Sequence, residues 1–63
     1  MFKMGDKVKI IFKEHANYGQ VGEITGLVNY EKFQFPRVTF SSNLFDYVDI
    51  GSWKIKKVKD GNW

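Results

Sequence analysis

Apolar and polar residues alternate in short blocks, and turn residues separate the blocks. In residues 4–13, Val8, Ile10 and Phe12 fall on one face, and Lys7, Lys9, Ile11 and Lys13 fall on the other. A period of two predicts a strand with its lysines toward water, and Val8, Ile10, Ile11 and Phe12 do not fall at helical spacing. Residues 14–20 hold Asn17 and Gly19 and read as a protruding loop, too long for a tight hairpin. A second strand is predicted over residues 21–30, with Ile24, Val28 and Tyr30 facing inward. Leu27 breaks its alternation, and Gly26 just before it marks a bulge or sharp bend. Glu31-Lys32 forms a polar tip. Residues 33–40 read as a third strand with Val38 and Phe40 inward and Arg37 and Thr39 outward. Pro36 is expected near its start or on an edge, since it cannot donate a ladder hydrogen bond.

After a Ser41-Ser42-Asn43 turn, residues 44–50 read as a fourth strand, with Phe45 and Tyr47 on one face and Asp46, Val48 and Ile50 on the other. A single helical turn around Ser52-Trp53-Lys54-Ile55 precedes a last strand running through Lys57-Val58-Lys59, with Ile55 and Val58 as its buried pair. Residues 60–63 are expected to be a flexible tail. The class predicted is all-β: five short strands closing into a small barrel, with a short helical turn before the last strand.

Size and composition sharpen this picture. The chain has 63 residues, enough for one domain spanning residues 1–63. At this length, apolar burial roughly cancels an ordering cost of about 1.5 kcal/mol per residue. Without cysteine there is no disulfide to help. Six Phe, three Tyr and two Trp are therefore expected to fill the middle of the barrel. The lack of cysteine also fits a reducing, cytoplasmic setting. Ile10-Ile11-Phe12 is the longest apolar run, so no membrane span and no signal peptide are expected. Met1 is expected to begin a complete small protein. A net charge of +3 permits an anionic partner without demanding one.

Gly5-Asp6-Lys7-Val8-Lys9-Ile10 followed by Gly19-Gln20-Val21-Gly22-Glu23-Ile24 resembles the KOW motif of SH3-like barrels. Arg37-Val38-Thr39-Phe40 and Trp53-Lys54-Ile55-Lys56-Lys57-Val58 are similar to the closing strands of the same barrels, so the resemblance covers nearly the whole chain. It implies an SH3-like fold and nucleic-acid or ribonucleoprotein binding in the transcription or translation machinery. The first loop departs from the pattern, being longer, lacking an early glycine and carrying Glu14. That loop, with Asn17-Tyr18 ahead of Val21-Gly22, and the segment Phe35-Pro36-Arg37-Val38-Thr39-Phe40 are also similar to photosystem I subunit IV, a free-standing SH3-like barrel.

Little in the sequence points to catalysis. His15 is the sole histidine, and no spacing ties it to Ser41, Ser42 or Asp46 as a triad. Asp46 and Asp49 are too few for a metal site, and Gly19-x-x-Gly22 lacks the Gly-Lys-Ser/Thr ending of a phosphate loop. No enzyme activity, cofactor, metal or small-molecule substrate is expected. Binding groups are better represented. Lys54, Lys56, Lys57 and Lys59 crowd six positions without an acid. Lys13, His15, Asn17 and Tyr18 give one loop charge, hydrogen-bonding groups and a stackable ring. Phe33, Phe35 and Arg37 share a face of the third strand, and Trp53 reads as a lid of the barrel. The expected binding set is Lys7, Lys9, Lys13, His15, Asn17, Tyr18, Phe33, Arg37, Lys54 and Lys56. Two partners fit it: nucleic acid, through backbone neutralisation and stacking, or a protein complex in which the chain acts as an adaptor. A monomer is expected, with Trp63 as a possible point of self-association.

Overall fold

The computed structural model describes residues 2–41 and 43–58. Ser42, Lys59 and the expected tail at 60–63, Trp63 included, lie outside the described residues. Alternation builds β1 (Lys7–Ile10), in which Val8 and Ile10 are fully buried and Lys7 and Lys9 face out. The strand stops there because Ile10 is claimed by the loop. Its N–H donates to Gln20 O, and its carbonyl accepts from Gly19 N–H. Next come β2 (Val21–Tyr30), β3 (Phe33–Thr39), β4 (Tyr47–Asp49), a 3-10 turn (Ser52–Lys54) and β5 (Ile55–Lys57). All five strands form one antiparallel sheet in the order β4-β3-β2-β1-β5. The predicted class, five strands with almost no helix and a single turn of 3-10 before the last, is the one observed.

The core is aliphatic. Val8, Ile10, Ile24, Val38, Ile50 and Ile55 are its buried members, with Phe2, Leu27, Phe40 and Val48 packed partly against it. Each such side chain stabilises the fold by about 1.5–3 kcal/mol when fully buried. The rings expected to fill the middle therefore do not: Phe12, Tyr18, Tyr30, Phe33, Phe45, Tyr47 and Trp53 are all exposed. Phe12 was expected inward, but the strand has already ended at Ile10, and its carbonyl accepts His15 N–H in a turn.

β2 carries the decisive irregularity. Ile24 lies opposite Val38, but the next pair is Gly26 with Arg37, so Thr25 is an extra residue. A one-residue shift flips every side chain beyond it. Leu27, not Gly26, then turns to the core, and Val28 and Tyr30, expected inward, point out. Thr39, expected outward, is buried, and its hydroxyl meets the Thr25 hydroxyl at 2.7 Å. Pro36 lies within β3 rather than near its start. Its carbonyl accepts Ile50 N–H just past the end of β4, so its missing N–H falls where the β3–β4 ladder has already run out.

Two residues brace the sheet through close contacts. Asp6, a buried acid, accepts Lys3 N–H at 2.9 Å and lies 3.6 Å from Lys57 Nζ. Its carbonyl accepts Ile24 N–H. This one residue ties the N-terminal turn to β2 and β5. Gly22 crosses β3 so closely that a Cβ there would meet Val38 Cγ1 at 2.6 Å and Thr39 O at 2.7 Å.

Gly22→Ala destabilises by about 1–3 kcal/mol, since β2 or β3 backbone must shift to admit the methyl group; urea unfolding measures it, and an unchanged midpoint refutes the close crossing. Glu31 is a non-glycine residue at φ +56 in the two-residue connection between β2 and β3. Glu31→Gly relieves that backbone and gains about 0.5–1 kcal/mol net of glycine's greater chain entropy, read as a higher melting temperature.

Candidate functional site

The lysines divide by partner. Lys7 Nζ meets Glu23 Oε1 at 3.0 Å across the β1–β2 ladder, and Lys57 meets Asp6. Arg37 Nε donates to Asp49 Oδ1 at 2.9 Å, and its guanidinium lies 4.1 Å over the Tyr47 ring. The Asp49 hydrogen bond raises the Arg37 pKa above its ordinary value, with the Coulombic pull of Asp49 adding to it. Arg37 is thus charged but internally matched. Lys9 stands directly opposite Lys56 in the β1–β5 register. Among the described residues neither reaches a carboxylate.

Lys54 extends this pair toward the aromatic side chains. Its carbonyl accepts Ile11 N–H, carrying the β1–β5 pairing one step past Ile10–Ile55. Its ammonium sits 4.4 Å over the Phe12 ring and 6.0 Å from the Trp53 ring. Such contacts hold a cation against a π-face for about 0.5–1 kcal/mol when exposed. Trp53 packs edge-on to both Phe33 and Phe35, each at a centroid distance of 5.7 Å. Its indole lies over Gly51, where a Cβ would meet the ring at 2.5 Å. Trp53 is therefore no lid over the core: it is 56% exposed, on the flank of β3.

Cross-strand register completes the surface. Phe35 faces Val28 and Phe33 faces Tyr30, so the four share one side of the β2–β3 hairpin. Val28, Tyr30 and Phe33 are 59%, 64% and 46% exposed. At the hairpin end lies an open hollow of about 480 Å³, lined by Phe2, Phe33, Asn29, Gln34 and Ser52; Asn29 and Gln34, opposite each other in the register, belong to the hairpin's other side.

The sequence-predicted site residues fall into three groups. Lys9, Lys54, Lys56 and Phe33 join one band, running from the β1–β5 lysines through Lys54 and Trp53 to the hairpin. Lys7 and Arg37 are matched by Glu23 and Asp49. Lys13, His15, Asn17 and Tyr18 belong to the first loop, which is wired to itself. His15 Nδ1 accepts Asn17 N–H at 3.0 Å, and Asn17 Nδ2 donates to Gln20 Oε1 at 2.9 Å. Tyr18 N–H donates to His15 O, leaving the Tyr18 ring half-exposed. Sequence reasoning missed Phe12, Trp53, Asn29 and Gln34 as surface groups. The Leu27 break held the signal: counting the alternation from Leu27 rather than from Ile24 turns Val28 and Tyr30 outward and Asn29 to the hollow's side.

Among the described residues no helix is long and apolar enough to cross a membrane. Searches against protein-family models, curated proteins and solved structures found no match to this chain.

His15→Ala removes the acceptor of Asn17 N–H and loosens the loop without unfolding the barrel. Amide exchange at Asn17 and Tyr18 should accelerate while that of Val8 and Ile24 stays slow. Unchanged exchange at Asn17 would show that the His15 bond does not order the loop.

Proposed function

We propose that the protein is a small non-catalytic module that binds nucleic acid, in the manner of KOW-type SH3-like barrels attached to cytoplasmic transcription or translation machinery. The strand order and the 3-10 turn ahead of β5 support the SH3-like reading, as do the two glycine-led segments that become β1 and β2. The observation that carries the function is the Lys9–Lys56 pair. Like charges directly opposite one another across a ladder destabilise a sheet. Here both are exposed, with Lys54 next along and no acid among them. A phosphate backbone neutralises that arrangement and releases its own counterions on doing so.

A second reading, a protein-interaction adaptor, is favoured by one specific feature. Leu44 and Phe45 are 71% and 89% exposed at the tip between β3 and β4. Their turn is preformed: Asn43 Oδ1 accepts Phe45 N–H at 3.0 Å, and Ser41 Oγ accepts Asn43 N–H at 3.2 Å. Apolar side chains held out this way fit a partner's pocket.

Oligonucleotide binding at several salt concentrations separates the two. Affinity should fall steeply with salt, and the Lys9→Ala/Lys56→Ala double variant should flatten the log–log slope by about 2. Its unfolding midpoint should equal or exceed that of the wild type, because a repulsion has been removed. No binding at low salt would sink the nucleic-acid reading and leave the adaptor.

A further inference from the structure

We propose that the hairpin end of the molecule takes unpaired bases, making a single strand, not a duplex, the ligand. This rests on the nucleic-acid reading above and specifies its substrate. Three observations support it. First, Tyr30, Phe33 and Trp53 expose ring faces that the aliphatic core does not need. Bases stack on such rings, and only unpaired bases can reach them. Second, the hollow at the hairpin end is lined by Phe2 and Phe33 together with Asn29, Gln34 and Ser52. Asn29 and Gln34 stand opposite each other in the β2–β3 register, so two amides, each with a donor and an acceptor, lie side by side. They lie on the opposite side of the hairpin from Tyr30 and Phe33, so they offer hydrogen bonds to the edge of a base seated in the hollow, a place separate from the exposed ring faces. Third, the charge lies where the strand's backbone would run. Lys54 is held over Phe12 and near Trp53, and Lys56 and Lys9 continue away from the rings. Lys32 and Glu31 also border the hollow, so its outer rim is close to neutral and the attraction comes from the Lys54 side.

The test compares a labelled single-stranded 12-mer with the corresponding duplex, using the full chain at one low salt concentration. Wild type should bind the single strand more tightly. Phe33→Ala should weaken single-strand binding roughly tenfold or more and leave duplex binding unchanged. Phe33→Leu keeps an apolar side chain but loses the π-face; the same loss in that variant, at wild-type melting temperature, excludes misfolding as the cause. Asn29→Ala/Gln34→Ala should narrow the differences among homopolymer strands. Equal binding of strand and duplex, with Phe33→Leu silent and Lys9→Ala/Lys56→Ala weakened, would overturn this proposal while leaving the nucleic-acid reading in place. Absence of binding to either probe would overturn both. A wild-type dimer that Phe33→Leu splits, with no oligonucleotide bound, would assign the face to a second copy and overturn the proposal as well.

Discussion

One extra residue in β2 determines which side chains hold this molecule together and which it displays. Before Thr25 the ladder runs Glu23 to Thr39 and Ile24 to Val38; after it, Gly26 to Arg37 and Leu27 to Pro36. Because strand side chains alternate with a period of two, the insertion hands the core from Ile24 to Leu27. It also sends Val28 and Tyr30 to the outside, where they meet Phe35 and Phe33 across the ladder. Remove the bulge and those two rows would compete for the inside of a barrel too small to hold them. The bend that comes with a bulge also curls the sheet.

A core of six aliphatic side chains among the described residues is small, and the fold compensates through backbone wiring and close approach. Asp6 serves three connections at once, to Lys3, Ile24 and Lys57. Gly22 lets β2 sink onto Val38 and Thr39. The exposed ion pairs of Lys7 with Glu23 and Arg37 with Asp49 each add about 0–1 kcal/mol and matter more for register than for stability. None of this draws on the exposed rings. Phe12, Tyr30, Phe33 and Trp53 leave much of their area in water, and the edge contact of Phe33 with Trp53 recovers only part of what burial would give.

Much of the fold was legible in the residues, because its cues are local. Lys7 to Ile10 alternates without ambiguity, and the bounds of β2 follow from the turn residues on either side. The helical turn at Ser52 to Lys54 follows a glycine break. Even the irregularity near Gly26 was visible. Its consequence was not, because a bulge is recognised at one position but acts on every later one, and its effect depends on the partner strand's register. Thr39 shows the same limit: its hydroxyl meets that of Thr25, fourteen residues away. The lysines of the candidate site were legible as residues but not as a pattern. Whether Lys7 or Lys9 is free depends on what stands opposite, Glu23 in one case and Lys56 in the other. From the sequence Trp53 reads as a lid, because a large ring in a small protein is expected inside; the close fit over Gly51 is a tertiary contact.

These arrangements bear on one another through Lys54. An ammonium held over Phe12 is positioned rather than left to wander in solvent, so a bound anion would cost little further side-chain ordering there. The same residue follows Trp53 directly, and Trp53 touches Phe33 and Phe35. A ligand that engages the charge is thereby delivered to the rings. A protein surface could supply an acid for Lys54 and apolar side chains for Trp53; Asn29 and Gln34 stand opposite each other on the hairpin's other side and add hydrogen-bonding groups to the lining of the hollow. Under the proposed nucleic-acid reading, an anionic backbone with flat appendages would match the lysines and the exposed rings together. A globular partner would have to place an acid and an apolar group across the same face.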